Sequence, residues 1–163
     1  MNIRPIQTLG YLNPPWTEHY GYAQVDQLND QLHVVGLMSH DTAGNLIGPA
    51  PVDAEGMPTD LSNMAVQLRT AYANANRLLT MLGASLDDVI EETLFVVDLA
   101  AVANVAADVR QQAYGNPWPQ CRSKLVSTHR LLFSEQLVEI GLTAKIPLIL
   151  RTANQARRQS SPR

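Results

Sequence analysis

Arg122 and Glu139 are the two side chains of this chain best suited to chemistry. Arg122 stands in Pro119-Gln120-Cys121-Arg122-Ser123-Lys124-Leu125-Val126, and Glu139 in Gln136-Leu137-Val138-Glu139-Ile140-Gly141-Leu142-Thr143-Ala144. Both segments have strand character, and the polar Thr128-His129-Arg130 opens a turn region between them. A turn centred near Arg130 and Leu131 predicts an antiparallel pair with Arg122 facing Glu139, about 5 Å apart at Cβ on one face. A guanidinium there can bind a carboxylate through two parallel hydrogen bonds, which lysine cannot copy. A glutamate beside it can take a proton from an attacking water and return it to a departing amine. Its apolar neighbours raise its pKa unless Arg122 pulls it down. The same two residues also read as a plain cross-strand ion pair that fixes register, worth about 0.2–1 kcal/mol.

Other candidates have a simpler structural explanation. Cys121 points to the face opposite Arg122 and reads as a buried, inert thiol. His19, His33, His40 and His129 have no zinc-type spacing, so no metal is expected. His40-Asp41 reads as part of a surface loop. Trp16 and Tyr20 either cover a cleft or anchor an N-terminal arm, and Trp118 is expected at a subunit boundary. The glycines Gly44 and Gly48 lack a phosphate-loop pattern.

These side chains must be positioned by one ordinary domain. The chain has 163 residues, 45% hydrophobic and 17% charged, with formal net charge −3. That balance argues against nucleic acid as a partner. The single cysteine forbids an internal disulfide. No apolar leader pattern or membrane-length run occurs, so cytoplasmic residence without membrane contact is expected. Residues 1–20 read as an irregular arm, 21–148 as the domain, and 149–163 as a polar, basic tail. Within the domain, Tyr22–Val25 and Leu32–Gly36 predict a hairpin turning at Asn29-Asp30, and 39–58 a long loop. Met64, Leu68, Ala71, Tyr72, Ala75, Leu78, Leu79 and Leu82 form the apolar stripe of a helix over 62–82, with Gln67 and Asn74 on its wet side. A strand over Val89–Leu99, a helix over Val102–Tyr114 and two C-terminal strands complete a ββαβαββ order. Two helices then cover one face of a mixed sheet, leaving an apolar opposite face for another subunit.

Gly21-Tyr22-Ala23-Gln24, Leu82-Gly83-Ala84-Ser85-Leu86-Asp87-Asp88-Val89 with the following Thr93–Asp98 strand, the Arg122 segment and Val138-Glu139-Ile140 together resemble the RidA/YjgF family over roughly residues 20–146. The resemblance implies a chorismate-mutase-like α+β fold and a homotrimer whose sheets form a barrel with three inter-subunit clefts. It also implies cofactor-independent hydrolysis of enamines and imines, such as 2-aminoacrylate, to ketoacids and ammonia. Arg122 matches the arginine that grips the substrate carboxylate, and Glu139 the glutamate that positions water. Tyr22 matches an aromatic walling the cleft, and Gly36 the glycine of a Ser-Gly-Gln motif that here reads Val35-Gly36-Leu37. A cleft asparagine falls at Ala106, with Asn104 close by. The altered motif and longer loop keep open a RidA-like protein with another substrate, an imine condensation catalyst, or a carboxylate binder without turnover.

Overall fold

The computed structural model describes residues 15–119 and 121–146. The tail expected over 149–163 lies outside that range, as does the first part of the N-terminal arm. Residues Pro15–Tyr20 form a short helix, α1, rather than irregular chain. The hairpin follows as β1 (Val25–Leu28) and β2 (Gln31–Leu37), joined by a two-residue turn in which Asn29 takes φ +56°. Asparagine tolerates that conformation, which hairpin twist requires. After the long loop come α2 (Met64–Met81), a 3-10 turn at Leu86–Asp88, β3 (Val89–Val96), α3 (Leu99–Ala103), α4 (Ala106–Tyr114), β4 (Arg122–Ser127) and β5 (Val138–Lys145). The architecture is thus α+β, with helices on one face of a five-stranded mixed sheet.

The helix ends follow from local chemistry. Gly83, at φ +74°, supplies the left-handed residue that stops α2. Asp98 caps α3 by accepting the Ala101 N–H at 2.7 Å. That cap starts the helical chain three residues before the expected Val102, and Asn104-Val105 then break it into α3 and α4. The α2 stripe packs as expected: Leu68, Ala71, Tyr72, Ala75, Leu78 and Leu79 are at most 1% exposed. They meet Leu32, Val34 and Leu37 of β2, Leu94 and Val96 of β3, and Val138, Ile140, Leu142 and Ala144 of β5. Each fully buried leucine there stabilises the fold by about 1.5–3 kcal/mol.

Gln67 and Asn74, expected in solvent, are buried instead. Gln67 Nε2 donates to the carbonyls of Gly48 (2.8 Å) and Glu135 (2.9 Å), while its Oε1 accepts the Leu137 N–H at 2.8 Å. Asn74 Nδ2 donates to the carbonyls of Met38 and His40. A second face of α2 is therefore covered by the 39–58 loop, whose buried carbonyls need donors. The loop contains two small self-closed turns. Asp41 accepts the N–H groups of Ala43 and Asn45, and Asp53 those of Glu55 and Met57.

The sheet order is β1-β2-β5-β3-β4. Here the sequence expectation fails: β4 does not pair with β5. It runs parallel to β3, with Arg122 opposite Glu91, while β5 runs antiparallel on the other side of β3, with Glu139 opposite Phe95. The cause is connectivity. The β3–α3–α4–β4 stretch is a strand–helix–strand crossover, which delivers a parallel neighbour. The open sheet face is also not the apolar surface expected. By register it carries Glu91, Thr93, Arg122, Lys124, Thr143 and His33, with Phe95, Val126 and Val35 among them.

Candidate active site

Glu139 and Arg122 lie on the same open face but not together. Phe95 stands opposite both Glu139 and Val126, and Arg122 lies four residues from Val126 along β4. Two strand spacings and four residues separate their Cα atoms by roughly 16 Å. The cross-strand pair expected from sequence does not exist: Arg122 faces Glu91 and Glu139 faces Phe95.

Around Glu139 the structure does assemble a cluster. Its carboxyl is half-buried, and burial pushes its pKa above the usual carboxylate value, a hydrogen bond with Gln136 opposing. Gln136 is itself fully buried, its Nε2 donating to the Val138 carbonyl and its Oε1 accepting the Phe133 N–H. Tyr22 lies within the field of Glu139: burial first, and the Glu139 charge second, raise its phenol pKa, while a contact with Trp16 lowers it. The Tyr22 ring rests on Gly36. A Cβ on that glycine would stand 3.0 Å from the Tyr22 hydroxyl oxygen, and Gly36 takes φ +67° at an irregularity between β2 and β5. Only glycine meets both requirements easily.

Three of the expected site residues, Tyr22, Gly36 and Glu139, are thus brought together. Val35, next to Gly36, is 49% exposed on the open face, whereas Leu37 is buried in the core. His40 is not a surface histidine. It is 5% exposed, with Nδ1 2.7 Å from the Asp41 carbonyl and its ring edge-on to Trp16 at 5.0 Å. Trp16 also meets Phe133 at 5.4 Å, so α1 anchors an aromatic wall behind Tyr22. Ala106 opens α4, Asn104 sits exposed in the α3–α4 break, and Trp118 is 78% exposed.

Arg122 lies in other company. Its Nε and Nη2 donate to Glu91 Oε2 at 3.1 and 2.7 Å, and Lys124 Nζ donates to Glu91 Oε1 at 2.5 Å. Behind β4, toward the helices, Glu92 is completely buried. Its Oε1 accepts from Arg110 (2.6 Å) and Ser123 (2.8 Å), its Oε2 from Tyr72 (2.9 Å) and Tyr114 (2.6 Å). Cys121 joins this network as a half-buried thiol, donating to Tyr114 Oη and accepting from Arg110. Burial, then the Glu92 charge, drives both phenols well above the usual tyrosine pKa, so they remain donors. Sequence reasoning missed Glu91, Glu92, Gln136 and Phe133. The adjacent acids in Glu91-Glu92 were the available signal, since alternate strand residues face opposite sides. No group of histidine, cysteine and acidic side chains suited to a metal occurs among the described residues, and no helix among them is long and apolar enough to cross a membrane.

Residues 18–146 match the family described as endoribonuclease L-PSP. The chain belongs to that family. Several of its structural neighbours carry the YjgF, RidA or Rid names, and others are described as endoribonuclease L-PSP. RidA from the Antarctic bacterium Psychrobacter superposes with TM-score 0.67 at 19% identity, covering 86% of this chain and 99% of that one. The Rid-family protein YyfA from Yersinia pestis gives 0.64 at 22%, covering 85% and 97%. A YjgF/YER057c/UK114 family member from Mycobacterium tuberculosis gives 0.61 at 22%, covering 82% and 94%. At these identities the likeness concerns the L-PSP/RidA fold. Among curated proteins nothing matches.

Proposed function

We propose that this RidA-family protein hydrolyses small enamines and imines, such as 2-imino acids, to ketoacids and ammonia without a cofactor. The observation that carries the reading is Glu139: a half-buried carboxyl with raised pKa, set beside Tyr22 on the ledge that Gly36 leaves open. In the homotrimer that the family resemblance implies, Arg122 of one subunit would reach the Glu139 cluster of the next. The 16 Å gap within one chain is then a property of a shared site.

In such a cleft Arg122 holds the substrate carboxylate bidentately and aims C2 at a water on Glu139. An enamine first takes a proton at C3 and gives one up from nitrogen to become the imine. Glu139 removes a proton from the water as its oxygen bonds to C2 and the C=N pair moves to nitrogen. The protonated Glu139 then gives that proton to nitrogen. The product of this addition is a carbinolamine. Glu139 next takes its hydroxyl proton as C=O forms and passes it to nitrogen as the C–N bond breaks, so that water plus imine has become ketoacid plus ammonia. A buried carboxyl with a raised pKa suits this exchange, because it both accepts and returns the proton.

Val35 and Leu37 replace the serine and glutamine of the family motif, and Trp16, Phe133 and His40 back Tyr22. Val35, 49% exposed beside this cluster, favours, as a second reading, a substrate with a larger apolar side chain. RNA cleavage, suggested by the family description, draws no support from a net charge of −3. The test supplies 2-aminoacrylate generated in situ, and larger enamines in parallel, and follows ketoacid release. Acceleration over buffer that Arg122→Ala abolishes is expected. Saturable ketoacid binding without turnover of any imine would leave only a carboxylate binder.

A further inference from the structure

Arg122 already holds a carboxylate. Glu91 stands opposite it in the β3–β4 register, and one Glu91 oxygen accepts from both Nε and Nη2 at 3.1 and 2.7 Å. That edge of the guanidinium is one a ligand carboxylate would use. The second Glu91 oxygen is taken by Lys124. Arg122 and Lys124 are two residues apart on one strand and project from one face. Their side chains are 72% and 62% exposed, that of Glu91 29%. Two cations share one anion, so the group keeps one positive charge. The hydrogen bonds from Lys124, then Arg122, hold the Glu91 carboxyl below the usual range, and it stays ionised at neutral pH.

We propose that Glu91 is a specificity-determining residue of the Arg122 site: an internal carboxylate that a ligand carboxylate must displace, with Lys124 retaining Glu91 once it steps aside. The inference rests on Arg122 being the carboxylate grip. Exchange of one carboxylate for another preserves the ionic hydrogen bonds of Arg122. A neutral amide or ester cannot replace them and is rejected. Because an exposed ion pair is weak, the competition reduces affinity rather than closing the site. Lys124 has a separate part: bound to the other Glu91 oxygen, it gives the displaced carboxylate a place to remain.

The experiment titrates pyruvate, a non-hydrolysable ketoacid, into the assembled protein by calorimetry, with pyruvamide as the neutral counterpart. Glu91→Gln should tighten pyruvate about two- to fivefold. It should also narrow the preference for pyruvate over pyruvamide. Lys124→Ala should weaken pyruvate. Asp108→Asn, an equal change of charge on exposed α4, should leave it unchanged. Arg122→Ala should weaken pyruvate tenfold or more, roughly the worth of a charged hydrogen-bond pair. If Arg122→Ala binds like the unaltered protein, the carboxylate grip itself fails and this inference with it. If Arg122→Ala loses binding while Glu91→Gln does not tighten it, or tightens it no more than Asp108→Asn, the grip stands and the role of Glu91 is overturned.

Discussion

Glu139 carries the burden of the proposed chemistry, and its protonation is the most direct handle on it. Burial raises its folded-state pKa, so the fold prefers the protonated form. That contribution to stability is fully present below the unfolded-state value, near 4.3, and is lost as pH climbs through the higher folded-state value. Glu139→Gln should therefore melt higher than the unaltered protein at pH 7, with the difference shrinking toward pH 4, as thermal unfolding across pH will register. Turnover has the opposite dependence. The base must be ionised, so ketoacid release should rise with pH through the raised Glu139 value. Glu139→Gln should cost about 10²–10⁴-fold in rate, measured under single-turnover conditions. Equal rates for the two proteins would remove Glu139 from the mechanism.

At the scale of elements, the buried Glu92 network ties β4 to the helical layer. Glu92 receives α2 through Tyr72, α4 through Arg110 and Tyr114, and β4 through Ser123. Glu92→Ala leaves Arg110 without its anion and should destabilise the protein by about 3 kcal/mol, read from denaturant midpoints. Amide exchange should show β4 loosening before β5, because β4 is a sheet edge. An unchanged midpoint would mean that the network contributes nothing net. The same strand shows where the sequence stops being legible. The α2 stripe, the Asn29-Asp30 hairpin and the Gly83 stop follow from periodicity and turn chemistry, and all are present. The neighbour of β4 does not follow from its own pattern, since a period-2 strand accepts a partner on either edge and in either direction. The useful clues lay outside the strand. Thr128–Leu137 is longer than a tight hairpin turn, and α3 and α4 stand between β3 and β4. Gln67 and Asn74 are a parallel case: helical periodicity places them on the polar side, but only the fold shows a loop arriving there with carbonyls to satisfy. Tyr22 and Gly36 were placed by family resemblance, whereas Gln136 and Phe133 lie behind Glu139 through contacts that no local pattern announces.

At the scale of the whole molecule, the proposed reaction asks Arg122 and Glu139, on the strands either side of β3, to act on one substrate. A shared inter-subunit site gives a sharp expectation. Arg122→Ala and Glu139→Gln proteins, each inactive, should regain activity when dissociated together and reassembled. In a random mixture about a quarter of the sites receive both intact residues, so about a quarter of full activity should return. No recovery, with mixed oligomers verified by mass spectrometry, would rule out division of the site between subunits. Sedimentation at micromolar concentration should show a trimer, and a stable monomer would contradict the arrangement.

The outer edge of β4 has another consequence. Every residue of Arg122–Ser127 is exposed, and beyond it the described sheet has no further strand. Such an edge invites pairing with any extended peptide, and lysine or arginine on it is a common deterrent. Arg122 and Lys124 are charges of that kind, suited to keep the edge of a single chain from self-adhesion. A chain that traded them for apolar residues would lose more than the proposed grip on a carboxylate: it would offer other unfolded chains a sticky border.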